Sequence, residues 1–489
     1  MDNTFTSAVF PVETLEFEGH RESFVRGGRH LFPLLPKALE GIRTIGVIGW
    51  GSQGPAQAQN LRESLAGTPI RVVVGLRGGS TSMAAARQAD FTEADGSLGE
   101  MFDVIGRSDL ALLLISDASL AELYPRIFTT LRPGTTLGLS HGFLLGHLRN
   151  QGQDFPPNVN VIGVCPKGMG PSVRRLYEQG REINGAGINT SVAVERDLNG
   201  RATDMALAWS VALGAPYTFK TTLRSEYLSD IFGERGILLG AVHGIVESLY
   251  RRYVAAGFSE QEAFVHACES ITGPISKTIS RKGLLAVYES LSDAERADFE
   301  RAYAATYQAT RPLMVEIYDE VDSGNELRSV VLAGRRLKDH PIPTIDGSRM
   351  WEVGASVRKQ RGRLTAETHA FTAGVFVAAM MAQIDVLIEH GHPFSEIANE
   401  SVIEAVDSLL PYMHARGVAY MVDNCSTTAR LGARKWGPRF DAQLTQTGYP
   451  AADGGRVDTS VIQVFQTHPI HGVLKALSAM RPAVDIAVT

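Results

Sequence analysis

The feature that most constrains this chain is a glycine-rich turn. A short apolar run, Thr44-Ile-Gly-Val-Ile, leads directly into Gly49-Trp-Gly-Ser-Gln-Gly54 and then into a helix-forming stretch. In a strand–turn–helix setting, the first glycine of G-x-G-x-x-G permits the tight turn and the second lets backbone N–H groups approach a pyrophosphate. The third lets helix and strand pack closely, with the helix N-terminus facing the phosphates. Alone the motif is a weak signal. At the first strand–helix junction it predicts dinucleotide binding rather than a purely structural turn, with Gly49, Trp50, Gly51, Ser52, Gln53 and Gly54 as candidate cofactor contacts.

Further apolar runs at 43–48, 71–75, 110–115, 136–139 and 160–164 alternate with helix-like stretches, as expected of a parallel sheet with crossover helices. The second run ends without the Asp or Glu usual for NAD and continues as Arg77-Gly-Gly-Ser80-Thr-Ser82. A guanidinium and hydroxyls match a dianionic 2′-phosphate, so NADP is expected; the alternative, a solvated Gly/Ser loop, leaves the missing acid unexplained. Ser116 and Asp117, just past Leu112-Leu-Leu-Ile, sit where a doubly wound fold presents its loops to the cofactor.

Composition narrows the partners. The 489 residues are 44% hydrophobic and 20% charged, with a formal net charge of −6, which excludes a mainly disordered chain and offers no basic field for nucleic acid or anionic membrane. Three widely spaced cysteines, Cys165, Cys268 and Cys425, fit a reducing compartment rather than a disulfide framework. The most apolar helix-like segment, Phe371 to Ile388, is interrupted by Gln383 and Asp385 and is expected to be a core helix rather than a membrane span. Glu13, Glu16, Glu18 and Glu22 near the N-terminus match neither a transit nor a signal peptide, so the chain is expected to start mature.

After about residue 222 the pattern becomes long amphipathic helical segments. Gly236-Ile-Leu-Leu-Gly-Ala-Val-His aligns with Gly374-Val-Phe-Val-Ala-Ala-Met-Met at an offset of 374 − 236 = 138, and Phe258-Ser-Glu with Phe394-Ser-Glu at 394 − 258 = 136. An internal duplication is the expected source, the alternative being chance likeness of two amphipathic helices. Asp230 and Glu234, on a helix expected to start near Ser229, fall within or beside the stripe Leu238, Val242, Ile245 and Leu249. Carboxylates turned toward a core call for a cation, and an oxygen-only set suits Mg²⁺ or Mn²⁺; a helix N-terminus that welcomes acids is the alternative.

Glu400 and Glu404 repeat the spacing, but a helical wheel puts both opposite Val402, Ile403, Val406, Leu409 and Leu410, as if solvated. The duplication changes the weighing. At these offsets Glu400 and Glu404 correspond to Phe264 and Cys268, and Asp230 and Glu234 to Thr368 and Thr372, so each copy has one acidic pair and lacks the other. One composite metal site per chain follows if the copies pack face to face.

Gly-Trp-Gly-Ser-Gln at 49–53, Leu-Ser-His-Gly-Phe at 139–143, Cys-Pro-Lys-Gly-Met-Gly at 165–170, Ser-Asp-Ile-Phe-Gly-Glu at 229–234 and Glu-Ser-Val-Ile-Glu at 400–404 resemble the ketol-acid reductoisomerases, in their long, class II, plant-type form. The resemblance runs from about Val25 to the end. It implies an α/β Rossmann-type N-terminal domain and an all-α knotted C-terminal domain built from two related halves. The expected divisions are an N-terminal extension at 1–22, an NADP-binding domain at 23–221, and helical halves at 222–363 and 364–489.

The resemblance also implies NADPH and two Mg²⁺ per site, with Asp230 bridging both ions, Glu234 on one, and Glu400 and Glu404 toward the other. Arg77, Ser80 and Ser82 match phosphate contacts, Gly170 a further cofactor contact, Ser426 a substrate contact, and His141 and Lys167 a polar active-site pair. Glu404 is the expected proton-handling carboxylate, assisted by Lys167, and His141 orients groups or moves a proton. The implied reaction is a Mg²⁺-dependent methyl or ethyl migration in 2-acetolactate or 2-aceto-2-hydroxybutyrate, then NADPH reduction to the 2,3-dihydroxy acid of valine, isoleucine and leucine biosynthesis. A homodimer is implied, in bacterial cytoplasm or, for a processed form, plastid stroma. The rivals are a metal-free NADP-dependent β-hydroxyacid dehydrogenase, which leaves both acidic pairs without a task, and a non-catalytic dinucleotide sensor.

Overall fold

The computed structural model describes residues 2–362, 366–455, 457–482 and 484. They fall into two units. The first runs to Tyr227 and takes in Leu327–Arg335; the second comprises Leu228–Glu326 and Arg336–Ala476.

The first unit is built on an eleven-stranded sheet. Its parallel heart has Leu98–Glu100, Arg71–Leu76, Thr44–Ile48, Leu110–Leu113, Thr136–Leu139 and Asn160–Pro166 side by side in that order. Numbered along the chain, this is 3-2-1-4-5-6, the doubly wound arrangement, whose order reverses between Thr44–Ile48 and Leu110–Leu113. Side chains alternate between two apolar layers. Val72 and Val74 face one with Ile45, Val47 and Trp209, while Val73 faces the other with Ile48, Leu113 and Leu139. Burial on both faces explains why five of these strands read as nearly unbroken apolar runs, and the edge strand Leu98–Glu100, with only Leu98 buried, does not.

The far edge is antiparallel in part and draws on the N-terminus. Thr190–Arg196 runs against Asn160–Pro166, and His20–Arg26 pairs with Tyr217–Lys220 and with Glu13–Phe17. Residues treated above as an extension therefore include sheet strands.

The second unit is helical, and its repeat is explicit in the backbone. Gly240–Ala255 corresponds to Ala370–Glu389, and Glu260–Phe264 to Phe394–Ala398. Each short helix continues through two five-residue π-helical segments, Val265–Glu269 and Ile271–Ile275 in one copy, Asn399–Ile403 and Ala405–Leu409 in the other. Ser276–Lys282 and Leu410–Arg416 then stop at Gly283 and Gly417, both with positive φ. The offset between these glycines is 417 − 283 = 134, and between Gly257 and Gly391 it is 391 − 257 = 134. The offset of 138, taken from apolar likeness, and that of 136, taken from the shared Phe-Ser-Glu, are thus out of register by four and two residues, because short likenesses along buried helices match at several registers.

Ala370–Glu389 is long and apolar enough to cross a membrane, but 89% of its apolar window is buried inside the protein, as expected of a core helix.

Two helix boundaries differ from expectation. The helix bearing Asp230 and Glu234 spans Leu223–Arg235 and starts six residues before Ser229, so these acids do not form its N-terminal turn. It also ends at Arg235, and the next helix begins at Gly240, where an added Cβ would lie 2.1 Å from the Arg235 carbonyl oxygen. The stripe of Leu238, Val242, Ile245 and Leu249 therefore belongs to a different segment from the acids.

Candidate functional site

In the first unit, Gly49 takes φ +116°, and a Cβ there would lie 2.5 Å from the Leu114 carbonyl oxygen. Gly54, at the start of the Gly54–Ser64 helix, packs on the Gly49 carbonyl, whereas a Cβ at Gly51 would meet nothing within 4 Å. The turn is thus closed on its inner side and open where a pyrophosphate must approach. Gly51 and Ser52 are exposed, while Trp50 is half-buried edge-on against Phe91 at 5.6 Å. Gln53 Nε2 donates to the Gly168 carbonyl at 2.9 Å, and a Cβ at Gly170 would fall 1.8 Å from the Ser52 carbonyl oxygen. The 168–170 loop is therefore fitted directly against the turn.

Arg77 follows the Arg71–Leu76 strand and is exposed; Ser80 Oγ accepts from the Ser82 N–H at 3.2 Å, at the start of the Ser82–Gln88 helix. Ser116 is the N-cap residue of Asp117–Thr130, two positions beyond the Leu114 carbonyl that closes on Gly49. The proposed cofactor contacts thus cluster around the strand ends at the switch point.

His141 and Lys167 are brought together by a residue that sequence reasoning missed, Glu226. Its carboxylate accepts from the Gly142 N–H at 2.6 Å and lies 3.3 Å from Lys167 Nζ and 3.2 Å from His141 Nδ1. Burial pushes the Glu226 carboxyl pKa up, but the Lys167 and His141 charges and these hydrogen bonds outweigh it and hold it well below the ordinary range. The available signal was its position four residues before Asp230, on the same helix face.

In the second unit, carboxylate oxygens of Asp230, Glu400 and Glu404 lie within 4.8 Å of one another. Glu400 is fully buried, and Asp230 and Glu404 are half-buried. The wheel reading of Glu400 and Glu404 as solvated acids is corrected here. It assumed about 100° per residue, but π-helical turns are wider, so the face drifts as the chain passes Asn399–Ile403 and Ala405–Leu409. Three carboxylates so close repel by on the order of 3 kcal/mol per pair at an effective dielectric of about 20. An oxygen-only, anionic donor set fits a hard divalent cation.

Glu234, one turn beyond Asp230, accepts from Arg235 Nη1 at 3.0 Å. Burial, together with the charges of Glu234 and Glu404, pushes the Cys425 thiol up to about 12. The next residue, Ser426, caps the Thr427–Gln443 helix by accepting from the Ala429 N–H at 3.0 Å, so its own hydroxyl proton can still be donated.

Among the described residues, the repeat yields no second acidic cluster at the mirrored positions. At the offset of 134, Glu400 and Glu404 correspond to His266 and Ser270, at the same places in the π-helical run. Glu234 corresponds to Thr368, and the counterpart of Asp230, position 364, lies outside the described residues. The mirrored position is instead an imidazole pair, His266 and His369, with ring centroids 4.7 Å apart.

Comparison with known proteins decides the family. The family model for the acetohydroxy acid isomeroreductase NADPH-binding domain matches residues 39–218, and that for the ketol-acid reductoisomerase C-terminal domain matches twice in succession, at 223–363 and 364–450. The chain belongs to the ketol-acid reductoisomerase family. It is 58% identical over 496 residues to the chloroplastic ketol-acid reductoisomerase of Spinacia oleracea, covering 99% of this chain and 83% of that protein. Identity to the chloroplastic enzyme of Pisum sativum is 59% over 495 residues, covering 99% and 85%. Among solved structures, an NADH-preferring ketol-acid reductoisomerase from an uncultured archean is similar, with a TM-score of 0.54 and 25% identity, covering 65% of this chain and 94% of that one. The double match of the C-terminal model agrees with the two structural copies. Membership makes the chain an oxidoreductase and isomerase of branched-chain amino acid biosynthesis, rather than a β-hydroxyacid dehydrogenase or a non-catalytic sensor.

Proposed function

We propose that the chain converts 2-acetolactate or 2-aceto-2-hydroxybutyrate to the corresponding 2,3-dihydroxy acid with magnesium and NADPH. The observation that carries this reading is the convergence of Asp230, Glu400 and Glu404 to within 4.8 Å. Asp230, Glu234, Glu400 and Glu404 would hold two Mg²⁺. When bound, the ions supply positive charge that steadies the substrate oxygens while the methyl or ethyl group migrates, and NADPH supplies the hydride.

The remaining chemistry belongs to side chains. Glu404, half-buried, is the carboxylate suited to take the proton of the tertiary hydroxyl. Glu226 keeps Lys167 paired and holds the His141 ring, so that Lys167 can give a proton and His141 can orient polar groups. Ser426 donates its hydroxyl to substrate. Arg77, Ser80 and Ser82 receive the 2′-phosphate, supported by the absence of an acid after Leu76. The NADH preference named for the archaeal relative makes this choice one to measure. The chloroplastic relatives favour a plastid form over the bacterial cytoplasm, and we propose a homodimer, which sedimentation would test.

The test is turnover of 2-acetolactate with NADPH before and after EDTA. Activity that falls with chelation and returns with Mg²⁺ supports the reading; undiminished activity in chelator overturns the metal role.

A further inference from the structure

Arg235, the last residue of the helix that carries Asp230 and Glu234, is fully buried. Its guanidinium joins two carboxylates: Nη1 donates to Glu234 Oε2 at 3.0 Å, and Nε donates to Glu326 Oε2 at 2.9 Å. Glu326 also accepts on Oε1 from Lys435 Nζ at 2.6 Å and from Trp436 Nε1 at 3.0 Å. The guanidinium is seated over Gly432, where an added Cβ would fall 2.9 Å from Arg235 Cζ.

A buried guanidinium is a poor choice if packing alone is needed, since an apolar side chain of similar volume serves at least as well. Here two cations answer two carboxylates in one chain of contacts. The arrangement makes Glu326 a counterweight. The more negative charge it presents to Arg235, the less of the Glu234 charge is engaged by Arg235.

We propose that Arg235 and Glu326 are positioning residues that orient the Glu234 carboxylate and tune its affinity for a divalent cation. The inference rests on the reading of Glu234 as a magnesium ligand. Neutralising Glu326 leaves the Arg235 charge concentrated on Glu234 and weakens cation binding. Removing the Lys435 charge, which competes for Glu326, strengthens it.

The experiment is calorimetric titration of Mg²⁺ into the full chain and into Glu326→Gln, Lys435→Met and Glu234→Gln, with thermal midpoints measured alongside. Glu326→Gln is expected to weaken Mg²⁺ by about tenfold, and Lys435→Met to tighten it by about threefold, the size expected of charges acting over a few ångströms in a partly solvated site. Lys435 is 42% exposed, so its variant folds even if Glu326→Gln does not. Affinities that stay within twofold of wild type, or that move in the same direction in both variants, overturn the proposal and leave the network a structural ion pair. If Glu234→Gln binds Mg²⁺ as tightly as wild type, it is the ligand reading that fails. If Glu234→Gln loses affinity while the other two do not respond, only this inference fails.

Discussion

Glu226 and Lys167, 59 positions apart in sequence, meet with 3.3 Å between Oε1 and Nζ, each side chain about 1% exposed. Each charge offsets the other in a site closed to water, and the Glu226 carboxylate is met as well by His141 and the Gly142 N–H. Removing one partner of such a pair typically costs about 3–5 kcal/mol, because the survivor is left buried and uncompensated.

Glu226→Gln is therefore expected to lower unfolding free energy by about 3 kcal/mol and turnover by about a hundredfold, the size of a lost general-acid contribution. Its pH dependence has a definite sign. The folded-state carboxyl pKa is depressed below the ordinary 4.5, so the stabilisation is fully present above that value and is lost as pH falls toward the folded pKa. Denaturant unfolding across pH 3 to 7 checks this: wild type should lose more stability on acidification than the variant. Parallel profiles would show that Glu226 is not held ionised.

Gly170→Ala places a methyl group 1.8 Å from the Ser52 carbonyl oxygen, so the glycine-rich turn must move. The expected outcome is NADPH binding weakened by about tenfold or more with stability lowered by about 1–3 kcal/mol, as for other overpacked sites. Fluorescence titration of NADPH measures it, and Mg²⁺ affinity should stay unchanged.

Arg77→Asp replaces the exposed guanidinium beyond Leu76 with the acid that NAD sites carry. The KM for NADPH should rise by about tenfold or more while that for NADH changes little or falls. Equal losses for both cofactors would mean that Arg77 does not read the 2′-phosphate.

Glu400 is fully buried in a cluster of like charges. Glu400→Gln should therefore stabilise the metal-free protein, by about 1–3 kcal/mol once repulsion is relieved, and abolish most of the stabilisation that Mg²⁺ confers on wild type. Thermal midpoints with and without 10 mM-scale Mg²⁺ (roughly saturating for such sites) check both signs. A variant that is destabilised without metal and still protected by it contradicts the assignment.

How legible these features were in the sequence depends on how local their causes are. Gly49, Gly51 and Gly54 are legible because their spacing is confined to one strand–turn–helix junction, although the Leu114 carbonyl that closes on Gly49 comes from a distant strand end. Five of the six strands of the parallel heart are legible because burial on both faces leaves an apolar run, whereas Leu98–Glu100, with only Leu98 buried, leaves none. Glu226 was not readable, since its meaning comes from Lys167 and His141 arriving from distant strand ends. Glu400 was misjudged in isolation because an α-helical wheel does not describe a chain that widens into π-turns, and only the duplication argument drew it inward. The same duplication was right in kind and wrong in register, for an apolar stretch and a shared tripeptide leave out the glycines at 257, 283, 391 and 417 that fix the offset.

The most direct test is anomalous diffraction from a crystal soaked in Mn²⁺. The account predicts two peaks, each bounded by oxygens from Asp230, Glu234, Glu400 and Glu404, with Asp230 shared between them. A saturated crystal with no peak among these four side chains would contradict it.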